Sequence, residues 1–200
     1  MTRIFIRTYG CAHNVSDSET MAHYLEAAGF DVSGLDETIT SRLDKKALFE
    51  KMESFDLVVI NTCTVKNPTE SKFFSLLQKL SVPVVIAGCI SQSQHNEKWL
   101  ESYSAVGVDR LEDIVDVVTA TLNGRVLHRL SRKRSFEDRD FIPVTRKNEL
   151  TAIIPVLQGC LGNCSYCKTK SARGMLKSYP LKSIITQVRL AKHKGIKEIW

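Results

Sequence analysis

Six cysteines are the residues best suited to chemistry in this 200-residue chain, and they fall into two sets of three. Cys160, Cys164 and Cys167 lie on one short stretch with the spacing C-x3-C-x2-C. Thiolates hold iron–sulfur clusters, and a [4Fe–4S] cubane has four irons to occupy. Three protein thiolates leave one iron open, and that position can take a small chelating molecule. Tyr166 sets an aromatic ring directly before the last cysteine. The competing reading is a structural zinc site, which closes its tetrahedron with four ligands, usually from paired C-x2-C units. Here a fourth ligand has to come from elsewhere, with His193 a candidate. Cys11, Cys63 and Cys89 are scattered, and any one of them alone is as readily a small buried hydrophobe. A disulfide framework is a poor reading in a reducing cytosol.

The elements that position these thiols can be read from pattern. Arg3–Thr8 alternates as a strand and ends in the turn Tyr9–Gly10–Cys11. A helix follows, with Ser16 as N-cap and Glu19 completing a capping box. Met21, Tyr24, Leu25 and Ala28 recur at helical spacing, and Gly29 closes the helix. Leu57–Ile60 is an apolar run of the buried parallel-strand kind and leads into Asn61, Thr62 and Cys63. A helix from about Thr69 to Leu80 precedes a second such strand, Val82–Ala87, ending at Gly88 and Cys89. Another helix, a strand around Ala105–Val108 and a helix over Glu112–Leu122 complete the series, stopped by Asn123 and Gly124.

Strands alternating with helices imply an α/β fold around a parallel sheet. Ligands of such sheets bind at the carboxyl ends of the strands. Cys11, Cys63 and Cys89 each fall just after a predicted strand, so one sheet edge gathers them around a shared ligand. Residues 1–123 form this domain, 124–149 a charged linker, and 150–200 the start of a second domain. In the latter, a strand Ala152–Leu157 enters the Cys160–Cys167 loop, Leu181–Lys192 is a helix ended by Gly195, and Ile196–Trp200 begins another strand. Pro143 and Pro155 punctuate the linker and a strand edge.

The formal net charge is +6 and is unevenly placed. Asp17, Glu19, Glu112, Asp113 and Asp116 lie in the first part; Arg129, Arg132, Lys133, Arg134, Lys168, Lys170, Arg173, Lys177 and Lys182 lie in the second. Either a polyanion bound on the C-terminal side or ordinary solvated charge accounts for this. No apolar run approaches the ~20 residues that span a bilayer, and the N-terminus lacks the apolar core of a signal peptide. A cytoplasmic chain is expected.

YGCAHNVSDSE, VVINTCTV and AGC, followed by QGCLGNCSYCKTKSARG, together resemble the tRNA methylthiotransferase family of the radical S-adenosylmethionine superfamily. The resemblance covers nearly all of the chain and rests on both cysteine triads occurring in order. It implies an N-terminal methylthiotransferase domain in which Cys11, Cys63 and Cys89 hold an auxiliary [4Fe–4S] cluster. The beginning of a partial βα barrel follows, in which Cys160, Cys164 and Cys167 hold a second. In that superfamily S-adenosylmethionine chelates the open iron through its methionine moiety, and an aromatic at the position of Tyr166 lies near the adenine. KTKSARG and Leu161–Gly162 resemble the archaeal and eukaryotic branch, which converts N6-threonylcarbamoyladenosine beside the anticodon to its 2-methylthio derivative. A tRNA and an electron-donor protein are the implied partners, and the implied state is a monomer.

Lys168, Lys170, Arg173 and Lys177 suit a phosphate-rich substrate. Arg173 is the better partner for the threonyl carboxylate, which a guanidinium grips through two parallel hydrogen bonds. No side chain is assigned as general acid or base, and His13, His23, His95 and His128 read as surface or core residues. The alternatives are methylthiolation of another tRNA adenosine or of a ribosomal protein, or a non-catalytic cluster- or RNA-binding module. Family members continue well beyond this length, so the chain reads as a fragment. The stretch Asp31–Ser54, longer than usual for the family, reads as a surface insertion.

Overall fold

The computed structural model describes residues 1–35, 45–64, 67–133, 135, 144–146 and 148–200. Arg134 and Pro143, read above as part of a basic run and as linker punctuation, lie outside these residues, as do 36–44. The expected α/β architecture is present. Six strands form one sheet in the order β2-β1-β3-β4-β5-β6, every neighbouring pair parallel. They are β1 (Arg3–Thr8), β2 (Asp31–Leu35), β3 (Leu57–Thr62), β4 (Val84–Gly88), β5 (Ser104–Val106) and β6 (His128–Arg129).

Alternate residues of the central strands feed two separate cores, as a parallel sheet covered on both faces requires. Ile4, Ile6, Leu57, Val59, Val85 and Ala87 face one side with Met21 and Leu25 of α1 (Ala12–Ala27). Ile114, Val117 and Val118, from the helix Ile114–Leu122, complete that core. Phe5, Val58, Ile60, Val84 and Ile86 face the other. There they meet Met52 of α2 (Lys45–Glu53) and Phe73 and Leu77 of α3 (Asn67–Leu77). Burying a side chain of this size is worth roughly 1.5–3 kcal/mol, so these two layers fix the sheet and thereby its edge.

Three expectations are corrected. Helix α1 starts at Ala12 with Cys11 in the N-cap position and no side-chain cap. Ser16 is therefore buried inside the helix and there is no capping box. The cause lies upstream: the N–H groups of Asn14 and Val15 already donate to the Cys11 carbonyl at 2.9 and 3.2 Å. Gly29, at φ +89°, does close the helix, with Phe30 N–H returning to Leu25 O in a Schellman arrangement. Second, Asp31–Ser54 is not simply a surface insertion, since it opens with β2 and carries buried Met52. Third, the stretch read as a linker contributes β6, paired with β5, and Thr145 N–H donates to Glu19 O on α1.

Beyond the sheet, the strand expected over Ala152–Leu157 is divided around Pro155. Its parts are β7 (Thr151–Ala152) and β8 (Leu157–Gln158). β7 pairs in parallel with β10 (Glu198–Ile199), and the helix Leu181–His193 lies between them in sequence, a βαβ unit. β8 pairs antiparallel with β9 (Lys177–Ser178). Among the described residues no helix is long and apolar enough to cross a membrane.

Candidate iron–sulfur sites

Strands β1, β3 and β4 are immediate neighbours and point the same way, so the residues that follow them leave one edge together. The register runs Thr62 against Gly88, which puts Cys63 and Cys89 next in line on strands about 4.8 Å apart. Cys63 and Cys89 are 1% and 3% exposed, whereas Cys11 opens to solvent.

A buried amide network holds this edge. Asn14 Nδ2 donates to Asn61 Oδ1 at 3.1 Å and to Thr62 O at 2.8 Å; Asn61 Nδ2 returns to Asn14 O at 2.7 Å and to Ser18 Oγ at 2.8 Å. Thr62 Oγ1 spans to Ala87 O at 2.6 Å and accepts from Ile90 N–H at 3.1 Å, tying the Cys63 turn to the short helix α4 (Cys89–Ser93). Asn61 and Thr62 thus shape the turn that presents Cys63. The Cys11 thiol reaches Asn14 Oδ1 at 3.3 Å.

Gly10 lets Cys63 approach. Its φ is +113°, and a Cβ there would lie 2.4 Å from Cys63 Cβ and 3.0 Å from its Sγ. Gly10→Ala should therefore lower stability by at least the ~1–3 kcal/mol of a strained backbone position, with further loss from displacing Cys63. Urea denaturation checks this beside Gly124→Ala, where φ is also positive but nothing lies within 4 Å; equal costs at the two positions would refute the crowding argument.

With the helix Ile114–Leu122 as α5, the second triad sits on the loop between β8 and α6 (Lys168–Arg173). Cys160 and Cys164 are exposed, Cys167 is half-buried at the N-cap of α6, and Tyr166 is 86% exposed. Backbone N–H groups already address two of the sulfurs: Gly162 donates to Cys160 Sγ at 3.3 Å and Lys170 to Cys167 Sγ at 3.4 Å. His193 is exposed at the end of its helix. Among the described residues no three His, Cys, Asp or Glu side chains are gathered tightly enough to hold a metal ion as they stand. The donor sets themselves, thiols alone on a shared edge and thiols alone on one loop, fit iron–sulfur clusters.

Helix α6 joins the two sites. Cys167 caps its start, while Ala172 near its end packs against Cys89 and Val108. Two buried ion pairs fasten the same junction. Arg173 Nη2 donates to Asp17 Oδ2 at 2.6 Å, and Lys177 Nζ to Asp109 Oδ1 at 2.6 Å. Gln158 bridges them, its Nε2 donating to Asp109 Oδ1 at 2.7 Å and its Oε1 accepting from Arg173 Nη1 at 3.5 Å. Lys133 pairs with Glu112, and Arg132 donates to the carbonyls of Ser171 and Ala172.

These contacts revise the reading of the basic run. Arg173 and Lys177 are 4% and 6% exposed and face acids of the sheet domain, so neither presents its charge to a substrate carboxylate or phosphate. Lys168 remains exposed, and half-buried Lys170 donates to Gly162 O at 2.5 Å. Much of the charge asymmetry is complementarity within the molecule. Sequence reasoning missed Asp109 and Gln158; the available signal was an acid three residues past β5, at the same sheet edge as the cysteines.

Burial pushes the Cys89 thiol up; Arg173 opposes that rise, and the charges of Asp17, Cys63 and Cys11 add to it more weakly. Burial also lowers the pKa of His13, and the charge of Arg173 adds to that shift. For Arg173, desolvation alone would lower the pKa, but Asp17 and then Cys89 outweigh it and the net shift is upward.

Residues 3–108 match the model of a family described as "Uncharacterized protein family UPF0004". The chain belongs to the UPF0004 family. Its likeness extends past the family's matched region. The chain is 37% identical to the threonylcarbamoyladenosine tRNA methylthiotransferase of Drosophila melanogaster, over 99% of this chain and 34% of that protein. The Homo sapiens protein of the same name is 36% identical, over 99% of this chain and 33% of that one. The probable threonylcarbamoyladenosine tRNA methylthiotransferase of Pyrococcus horikoshii is 32% identical, over 100% and 44%. This UPF0004 chain thus spans about a third of the length of the first two relatives. Among solved structures, the cobalamin-dependent S-adenosylmethionine radical enzyme OxsB superposes with a TM-score of 0.55 at 12% identity, over 98% of this chain and 33% of that one, a likeness of fold.

Proposed function

We propose that this chain carries the two cluster sites of a methylthiotransferase that converts N6-threonylcarbamoyladenosine in tRNA to its 2-methylthio derivative. The observation that carries the reading is similarity across 99–100% of the chain to animal and archaeal proteins of that name. Two thiol triads joined through one short helix support it. Cys11, Cys63 and Cys89 hold the auxiliary cluster; Cys160, Cys164 and Cys167 hold the other and leave one iron for S-adenosylmethionine. When bound, these groups supply radical chemistry able to open the unreactive C2–H bond of adenine, together with the sulfur and methyl that replace the hydrogen.

The chain's own residues position and shield. The Asn14–Asn61 network fixes the auxiliary thiols, and α6 sets the loop triad against them. Tyr166 is the residue that stacks on the adenine of S-adenosylmethionine in this reading, and its exposure beside Cys167 supports that role. Lys168 is exposed beside it and suits a tRNA phosphate. An electron-donor protein completes the reading, which is of a cytoplasmic, monomeric enzyme.

Mass spectrometry of tRNA nucleosides tests the substrate. A deletion strain should lack the 2-methylthio threonylcarbamoyl nucleoside and regain it when the full-length gene is restored. Persistence of that nucleoside without a second enzyme to make it would sink the assignment. Loss of a methylthio group from a ribosomal protein or another adenosine instead would redirect it.

A further inference from the structure

The Arg173–Asp17 pair invites a role beyond fastening. Buried ion pairs are often no better for stability than apolar side chains of the same size, yet this one stands beside the auxiliary thiols. Arg173 is held at both ends of its guanidinium, by Asp17 Oδ2 at 2.6 Å and Gln158 Oε1 at 3.5 Å. Its chain neighbour Ala172 shares one buried cluster with Cys89 and Val108. The short helix that ends at Arg173 packs against the one that begins at Cys89, which brings the guanidinium and its Asp17 partner to the same thiol edge. Arg132 is the other cation near this junction, and its guanidinium is engaged by the carbonyls of Ser171 and Ala172.

We propose that Arg173 is a positioning residue that supplies a fixed positive charge to the cluster held by Cys11, Cys63 and Cys89, while Asp17 anchors the guanidinium and partly offsets it. This rests on the cluster reading above. Reduction adds one electron, and so one negative charge, to a site already surrounded by thiolates. A cation fixed in a poorly solvated pocket favours that reduced state, and a nearby carboxylate disfavours it. The two partners of one ion pair should therefore move the reduction potential in opposite directions, which a purely structural role does not predict.

The test is a redox titration followed by electron paramagnetic resonance on the anaerobically reconstituted full-length protein. Alanine at Cys160, Cys164 and Cys167 silences the other site, and dithionite supplies the electron. Arg173→Gln should shift the midpoint to more negative potential, Asp17→Asn to more positive potential, and Arg173→Lys should stay nearer the parent than Arg173→Gln. Midpoints that do not move, or that move the same way in the Gln and Asn variants, overturn the proposal. If Arg173→Gln fails to load iron, Asp17→Asn decides: a positive shift supports the proposal, and an unchanged or negative one overturns it. Absence of any iron–sulfur signal in the parent protein would instead defeat the cluster reading itself.

Discussion

Alanine at Cys160, Cys164 and Cys167 in the full-length protein should bring reductive cleavage of S-adenosylmethionine down to background. Alanine at Cys11, Cys63 and Cys89 should leave some cleavage and stop formation of the methylthio product. The expectation follows from the placement of the thiols in two structural contexts. The loop triad is addressed by backbone N–H groups of its own loop and helix, at Gly162 and Lys170, and its thiols share one short stretch of chain. The other triad is built from three strand ends and the amides between them. Chromatography of released 5′-deoxyadenosine reads the first effect, and nucleoside mass spectrometry the second. Equal loss of cleavage in both variants would mean that the two sites do not divide the work.

Asp109→Ala should destabilise the protein by about 3–5 kcal/mol, the cost of leaving a buried charge without its partner. Asp109 is completely buried and gathers Lys177 Nζ at 2.6 Å, Gln158 Nε2 at 2.7 Å and Lys133 N–H at 3.2 Å. Removing the carboxylate strands the 6%-exposed Lys177 between the sheet domain and the cysteine loop. Adding Lys177→Met removes the orphaned charge at similar volume and should recover a large part of the loss. Chemical denaturation of the single and double variants checks both statements. A double variant no more stable than Asp109→Ala would show that the damage lies in the lost hydrogen bonds and not in the stranded charge.

What the sequence made legible was whatever depends on local pattern. The apolar runs at Leu57 and Val84 announced buried parallel strands, and their common direction was enough to send Cys63 and Cys89 to one edge. The edge strands were harder. Asp31–Leu35 interrupts its apolar residues with Ser33 and Gly34, and His128–Arg129 is two residues long, so neither shows a sustained apolar run, and each is completed by pairing with a neighbour. Ser16 and Glu19 matched a capping pattern that the helix overran, because its true start is dictated by the turn at Cys11. Helix α1 also buries Asn14, Asp17, Ser18 and Glu19, and a buried polar face looks like a solvated one in sequence. Nothing local announced that Arg173 belongs to Asp17, 156 positions away. The gathering of the strand-end cysteines at one edge was therefore readable in the sequence, and the charges around them were not.

The two triads differ in when they can come into being. Cys160, Cys164 and Cys167 share a single loop, whose closure is cheap and whose shape is set within a few residues. Cys11, Cys63 and Cys89 come together only after β1, β3 and β4 have paired in register, and such non-local parallel pairing is intrinsically slow. Until then those thiols belong to separate stretches of flexible chain. On the cluster reading proposed above, a nascent polypeptide offers a metal-delivery system the loop triad early, and the edge triad only once β1, β3 and β4 have paired.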